Sequence, residues 1–180
     1  MKLRILTAED LDMILEWRNA PAVRKNMYTS HVISSSEHRA WFERMSADEA
    51  KRYFIFENNG IACGVVGFVA IDSRSRRSSW AFYASPGAPR GTGSKMEYLA
   101  LEYAFNEMNF HRLHCEVLDF NQPVVNLHLS FGFNIEGTLR KHHYDGVNYH
   151  DIIQLGIIDD EWRQQRLIIR QKLRLDEVST

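Results

Sequence analysis

Trp80-Ala81-Phe82-Tyr83-Ala84, Ser85-Pro86-Gly87-Ala88-Pro89, Arg90-Gly91-Thr92-Gly93 and the run on to Phe110 decide the fold. The first five residues are short, aromatic and apolar, which is how a strand end reads. Prolines and glycines then mark a turn. After it, Met96, Leu99, Ala100, Tyr103 and Ala104 recur at helical spacing, the apolar side of a helix reaching about Met108. A strand, a glycine turn and an open helix start make an anion site. The first amides of a helix lack partners inside it, and aligned peptide dipoles leave roughly half a positive charge there. Glycine removes the Cβ that would keep a phosphate away from that backbone, and Arg90 stands beside it. The segment reads as a phosphate cradle.

The rest of the chain bounds whose phosphate it holds. The 180 residues, 44% of them apolar, suit one domain with a substantial core. A formal charge of −1 argues against a nucleic-acid binder held by a broad basic surface. No apolar run approaches the roughly 20 residues that span a bilayer, and the N-terminus reads as a charged strand rather than an export signal. Cys63 and Cys115 lie in apolar sequence and read as core thiols of a reducing compartment. The expectation is a cytoplasmic, single-domain, mixed α/β protein with no membrane insertion.

In chain order, Lys2–Leu6 alternates as a strand. Thr7 and Asp10 resemble a capping box before the stripe Leu11, Ile14, Leu15, and Pro21 is expected to stop that helix. Pro21–Ser34 has no clean period and carries Arg24, Met27, Tyr28 and His31. A second helix opens at Ser36-Glu37-His38, with Trp41, Phe42 and Met45 inward. Arg52–Phe56 and Ile61–Ile71 read as strands joined at Asn58-Asn59-Gly60, a strong hairpin signal. The basic turn Arg74–Arg77 reads as a solvated tip. Leu113–Leu118 alternates as a strand, and Asn121-Gln122-Pro123 starts a short helix ended by Phe131-Gly132-Phe133. Gly137–Tyr144 and Tyr149–Ile157 form a last strand pair turned by Asp145-Gly146. Asp160–Leu175 reads as a polar helix with Trp162, Ile169 and Leu173 on one side.

This order, with the glycine turn opening the central helix, resembles the GNAT superfamily of acetyl-CoA-dependent N-acetyltransferases. The resemblance implies a mixed, mostly antiparallel central sheet flanked by helices over residues 1–158. Residues 159–180 are then an added C-terminal helix, packed on the same domain or on a second subunit of a homodimer. The family's coenzyme motif Q/R-x-x-G-x-G/A falls on Ala88-Pro89-Arg90-Gly91-Thr92-Gly93, with both small positions matched and Ala88 in place of Gln or Arg. The resemblance therefore gives the acetyl-CoA pyrophosphate the backbone of Arg90, Gly91, Thr92, Gly93, Ser94 and Lys95. It gives the thioester carbonyl a main-chain N–H of Tyr83 or Ala84. A helix opened by Asn and closed by Gly-Phe fits Asn121 and Gly132-Phe133. Four residues before that glycine the family often has a tyrosine that protonates the departing thiolate; here stands His128, chemically able to do so with an ordinary pKa of about 6.5. His128 also reads as a plain helix-surface histidine.

A narrower resemblance runs through Trp17-Arg18-Asn19, Arg24, Met27, Glu37-His38 and Tyr53-Phe54. These look like the acetyltransferases of pseudaminic acid biosynthesis, which act on the 4-amino group of a UDP-linked amino-dideoxy sugar on the route to flagellin glycans. That likeness makes Arg18, Arg24 and His38 candidate contacts to the nucleotide, and Glu37, His38 or His31 candidate bases. Acetylation of protein N-termini or polyamines is the alternative within the superfamily, and a non-catalytic acyl-CoA-binding module the alternative outside enzymes. His111, His114 and Cys115 give no plausible set of four zinc ligands, and His142-His143 would point to opposite faces of a strand. No metal is expected.

Overall fold

The computed structural model describes residues 1–175. Seven strands form one sheet: β1 (Lys2–Ile5), β2 (Arg52–Asn58), β3 (Ile61–Asp72), β4 (Arg77–Ala84), β5 (Arg112–Leu118), β6 (Asn134–Tyr144) and β7 (Tyr149–Ile158). Their spatial order is β1-β2-β3-β4-β5-β7-β6, and only β4 and β5 run parallel. The hairpin between β2 and β3 turns at Asn59 and Gly60 with φ of 51° and 77°. Two consecutive left-handed residues are what a two-residue hairpin matching the sheet's twist requires, and Asn-Gly supplies them. The sequence expectation of a mixed, mostly antiparallel sheet holds.

Alternation along the strands divides the core between the two faces. Phe54, Phe56, Val66, Phe68 and Trp80 point to the face covered by α4 (Thr92–Glu102) and α5 (Gln122–Ser130). Ile55 and Val65 point the other way, against Leu11 and Ile14 of α1 (Leu11–Asn19) and Met45 of α3 (Ser35–Ser46). A side-chain period of two thus sandwiches the sheet between helices. Arg4 fixes the entry to α1: it donates to Asp10 at 2.6 and 2.8 Å and to Glu57 at 2.5 Å. Asp10 also accepts from the Thr7 amide at 2.9 Å, as a capping box does.

The first helix ends at Asn19, ahead of Pro21, as expected; Pro21 then opens a short helix of its own, α2 (Pro21–Arg24), because its missing N–H costs nothing in a first turn. Two other boundaries depart from expectation. The central helix is regular only to Glu102 and passes through one wider π-turn, Tyr103–Glu107. The last helix, α6 (Asp159–Lys172), is three residues shorter at its C-terminal end than the periodicity suggests. It docks on α4 through Trp162, which is fully buried, lies 5.6 Å from the Tyr98 ring and donates to Glu102 at 2.9 Å. Arg166 grips the same carboxylate at 2.5 and 3.0 Å.

Candidate active site

The parallel pairing of β4 with β5 is short. Arg77, Ser78 and Ser79 face Arg112, Leu113 and His114, and there the ladder stops. β3 continues to hold the outer edge of β4 as far as Ala84, and β7 holds β5 as far as Leu118. The two strands therefore part without unravelling, and a wedge-shaped cleft of about 330 Å³ opens between them. Trp80 to Ala84 and Cys115 to Leu118 form its walls, α5 closes one side, and Val23 and Met27 reach in from the α2 region.

The walls carry main-chain donors. The Ser85 amide bonds Cys63 O at 2.8 Å, on the β3 side. Strand alternation then turns the Ala81 and Tyr83 amides towards β3 and those of Phe82 and Ala84 into the cleft. Of the two amides expected to meet the thioester carbonyl, Ala84's faces the cleft. Tyr83 is corrected: its amide serves the ladder, and its phenol, pushed up in pKa by burial, sits against the α1–α3 layer.

The glycine turn is built as the sequence predicts. Gly91 takes φ +86° as the N-cap of α4, and a Cβ there would meet nothing within 4 Å. Thr92 is turned inward, its amide and hydroxyl both bonded to Pro89 O, and the Lys95 amide bonds Gly91 O. The amides of Arg90, Gly91, Gly93 and Ser94 make no main-chain hydrogen bond among the described residues. Four open donors at a helix N-terminus fit a diphosphate. Thr92 and Lys95 do not offer their amides, because the helix uses them. Asn121 lines the cleft as N-cap of α5 with its side chain free of the usual cap bond.

His128 is no surface histidine. It is 2% exposed, lines the cleft, and packs among Trp80, Phe82 and Phe133 at ring distances of 4.9–5.5 Å. Its Nδ1 lies 2.8 Å from Oε1 of Glu97, a fully buried carboxyl that sequence reasoning missed. Glu97 is one residue beyond Met96 and reads as the edge of a polar helix side. It is buried because α5 covers that edge.

Glu116 is the second missed residue. On β5 it alternates outward, the place of a solvent residue, yet here outward is the cleft. It accepts from the Tyr28 hydroxyl at 2.8 Å and from Gln154 at 3.2 Å. That bond draws the aperiodic Pro21–Ser34 segment over the cleft mouth. Glu37, expected as a base, stands apart. It is exposed, paired with His31 at 3.0 Å, and held below the usual carboxylate range by that partner.

The three expected substrate contacts, Arg18, Arg24 and His38, neighbour one another, and none of them lines the cleft. Arg18 donates to Thr29 O at 3.1 Å, while its Nη1 is buried without a partner. Burial and the neighbouring charge of Arg24 lower its pKa. His38 is buried, stacked on Trp41 at 5.1 Å, and lowered first by burial and then by Arg18. A guanidinium with an unsatisfied buried nitrogen and two basic neighbours is an unmet demand for negative charge. Among the described residues no group of three or more His, Cys, Asp or Glu is placed to hold a metal, and no helix is long and apolar enough to cross a membrane.

A splayed parallel pair, a glycine turn with open main-chain amides and a buried histidine thus meet around one cleft. The model of the acetyltransferase (GNAT) domain matches residues 1–134, and the chain belongs to that family. It is an acetyl-CoA-dependent N-acetyltransferase. Among curated relatives it is similar to the spermidine N(1)-acetyltransferase of Escherichia coli strain K12, 24% identical over 90% of this chain and 88% of that one. It is also similar to acetyltransferase PseH of Campylobacter jejuni, 27% identical over 72% of this chain and 80% of that one. The fold matches the Vibrio cholerae spermidine N-acetyltransferase solved with CoA and spermine, with TM-score 0.84, 22% identity, and 90% and 97% of the two chains covered.

Proposed function

We propose that this enzyme acetylates the primary amine of an acceptor that carries negative charge elsewhere, a UDP-linked amino sugar being the class that fits. The observation carrying this reading is Arg18, whose buried, unpartnered Nη1 lies beside Arg24 and His38 at the edge of the acceptor side. A diphosphate docked against this basic group would gain charge-assisted hydrogen bonds of about 1.5–3 kcal/mol each, whereas a polycation would add to the repulsion.

Acetyl-CoA supplies an activated acetyl group, and the protein has three tasks around it. The open amides at Arg90, Gly91, Gly93 and Ser94, with Asn121, hold the coenzyme so that its acetyl end enters between β4 and β5. The Ala84 amide polarises the carbonyl as negative charge gathers on its oxygen, a contribution of about 10²–10³ in rate for one such donor. Glu116, with Tyr28, receives the ammonium form of the acceptor at the cleft and passes its proton towards solvent, leaving the amine neutral for attack. His128 protonates the sulfur that departs. Holding both reactants in one cleft supplies several kcal/mol more without a covalent enzyme intermediate. Cys115 is buried and shares a side-chain hydrogen bond with His128, whose Nδ1 is committed to Glu97.

A second reading is polyamine acetylation. It is supported by the relatives named for spermidine, which span nine-tenths of this chain. The test is thiol release from acetyl-CoA with UDP-amino sugars, N-terminal peptides and spermidine at equal concentration. We expect the UDP-amino sugar to have the highest kcat/KM. Spermidine exceeding it tenfold would overturn the anionic-acceptor reading, and release with none of them would overturn the catalytic one in favour of a binding module.

A further inference from the structure

The pair Glu97–His128 is an ionisable couple inside a dry wall of the cleft. Helices α4 and α5 bring the two together across 31 residues of sequence, with Nδ1 to Oε1 at 2.8 Å and side-chain exposures of 3% and 0%. Nδ1 is committed to Glu97, which leaves Nε2 as the ring's other nitrogen; the ring also shares a side-chain hydrogen bond with Cys115, which lines the cleft beside it. We infer that Glu97 is a positioning residue that keeps His128 as an imidazolium, so that an Nε2–H proton is ready for the coenzyme's sulfur. The inference rests on the acetyl-transfer reading above.

The surroundings choose between the two ways of placing one proton on this pair. Burial alone opposes either charge, pushing Glu97 up and His128 down. With Glu97 ionised, its charge reverses the balance at the ring, and His128 moves well up. Three aromatic rings, from Trp80, Phe82 and Phe133, surround the imidazole in tilted or edge-on contacts at 4.9–5.5 Å, within the range over which an aromatic ring can attract a cation. The titratable groups facing the ring are Glu97 from α4 and Cys115 from β5; β4 and the residues after α5 offer only the aromatics. Oε2 of Glu97 has no partner among the described residues and burial holds that carboxyl above its usual range, so the His128 ring is the one group placed to hold its charge.

The step balances as follows. The amine nitrogen forms a bond to the thioester carbonyl carbon, and the carbon–sulfur bond breaks with its electron pair on sulfur. The Nε2 proton moves to sulfur to give the thiol, and the proton displaced from the amine leaves by way of Glu116. The imidazole is then neutral beside an ionised Glu97, which draws the next proton from solvent.

Glu97→Gln keeps the shape and an acceptor for Nδ1–H but removes the charge. It is expected to lower kcat at pH 8 at least tenfold, to leave the acetyl-CoA dissociation constant within twofold, and to move the alkaline limb of the kcat profile down by at least one pH unit. Nitrogen NMR of the folded wild type, read without any substrate, should show both His128 ring nitrogens protonated at pH 7.5. A neutral ring in that spectrum, or an unchanged alkaline limb in Glu97→Gln, would overturn the inference and leave the pair as a core bridge. If Glu97→Gln does not fold, the wild-type spectrum decides alone. Because that spectrum needs no turnover, a failure of the acetyl-transfer reading would remain distinct from a failure of this one.

Discussion

Ser79 of β4 and His114 of β5 are the last residues to face one another across the parallel pair. Beyond them each strand keeps its outer neighbour and loses its inner one, so main-chain groups that a sheet would consume are turned on a ligand instead. An unpaired buried N–H is costly, and a carbonyl oxygen arriving there relieves that cost.

On the proposed mechanism the polarising donor is the Ala84 amide. Ala84→Pro deletes its N–H without touching the β3 ladder, since that amide points away from β3. The expected result is a fall of about 10²-fold in kcat with little change in acetyl-CoA affinity. Single-turnover thiol release and calorimetric binding measure the two separately, and a kcat within twofold of wild type would move the donor elsewhere.

At the cradle, space and backbone conformation separate. Gly91→Trp fills the open volume before the helix and should abolish acetyl-CoA binding by calorimetry. Gly91→Ala leaves most of that volume and should retain binding, while the left-handed φ of +86° costs about 1–2 kcal/mol of stability in a denaturant titration. Equal coenzyme affinity in both variants would place the diphosphate somewhere else.

Arg18→Met tests the charge of the acceptor. A UDP-amino sugar should show a KM raised about tenfold or more, one charge-assisted bond's worth. Acetyl-CoA should be unaffected, and the KM for spermidine should hold or fall as the repulsion from Arg18 is removed. Because an unpartnered guanidinium nitrogen is buried at a cost, the melting temperature should hold or rise. A change confined to the coenzyme would reject this placement.

The Arg4–Asp10 pair makes stability depend on pH. Arg4's hydrogen bonds hold the Asp10 carboxyl below its ordinary range, so the pairing stabilises the fold above the unfolded value near 4. That contribution disappears as pH falls through the lower, folded value. Asp10→Asn should lose about 1–2 kcal/mol at pH 7 and much less near pH 2.5, read as the difference in urea midpoints between variant and wild type. A difference that stays constant across this range would mean that packing, not ionisation, carries the effect.

Much of this was legible from residue order. The hairpin at Asn59-Gly60, the cap at Gly91 and the strand alternation of β4 and β5 follow from local rules, and the structure has each of them. Glu97 and Glu116 were illegible for one shared reason. Each sits where a single element's period says solvent; a second element, α5, buries Glu97, while the parting of β4 from β5 puts the exposed Glu116 on the cleft. Glu37 failed in the opposite sense: its place beside His38 suggested the site, but on α3 it turns out to water while His38 turns in. Tyr83 was half right, since strand parity selects Ala84 and a five-residue motif does not reveal which edge is free.

The division of labour around the cleft bears on how such an enzyme changes its diet. The donors at Ala84 and at the start of α4 belong to the main chain and survive nearly any exchange of side chains. The neighbours proposed for the acceptor, Arg18, Arg24, Tyr28 and His38, are side chains borne on α1 to α3 and the irregular segment between them. Grafting residues 21–34 from another member of the family should therefore alter which amine is accepted while the thioester chemistry carries on undisturbed.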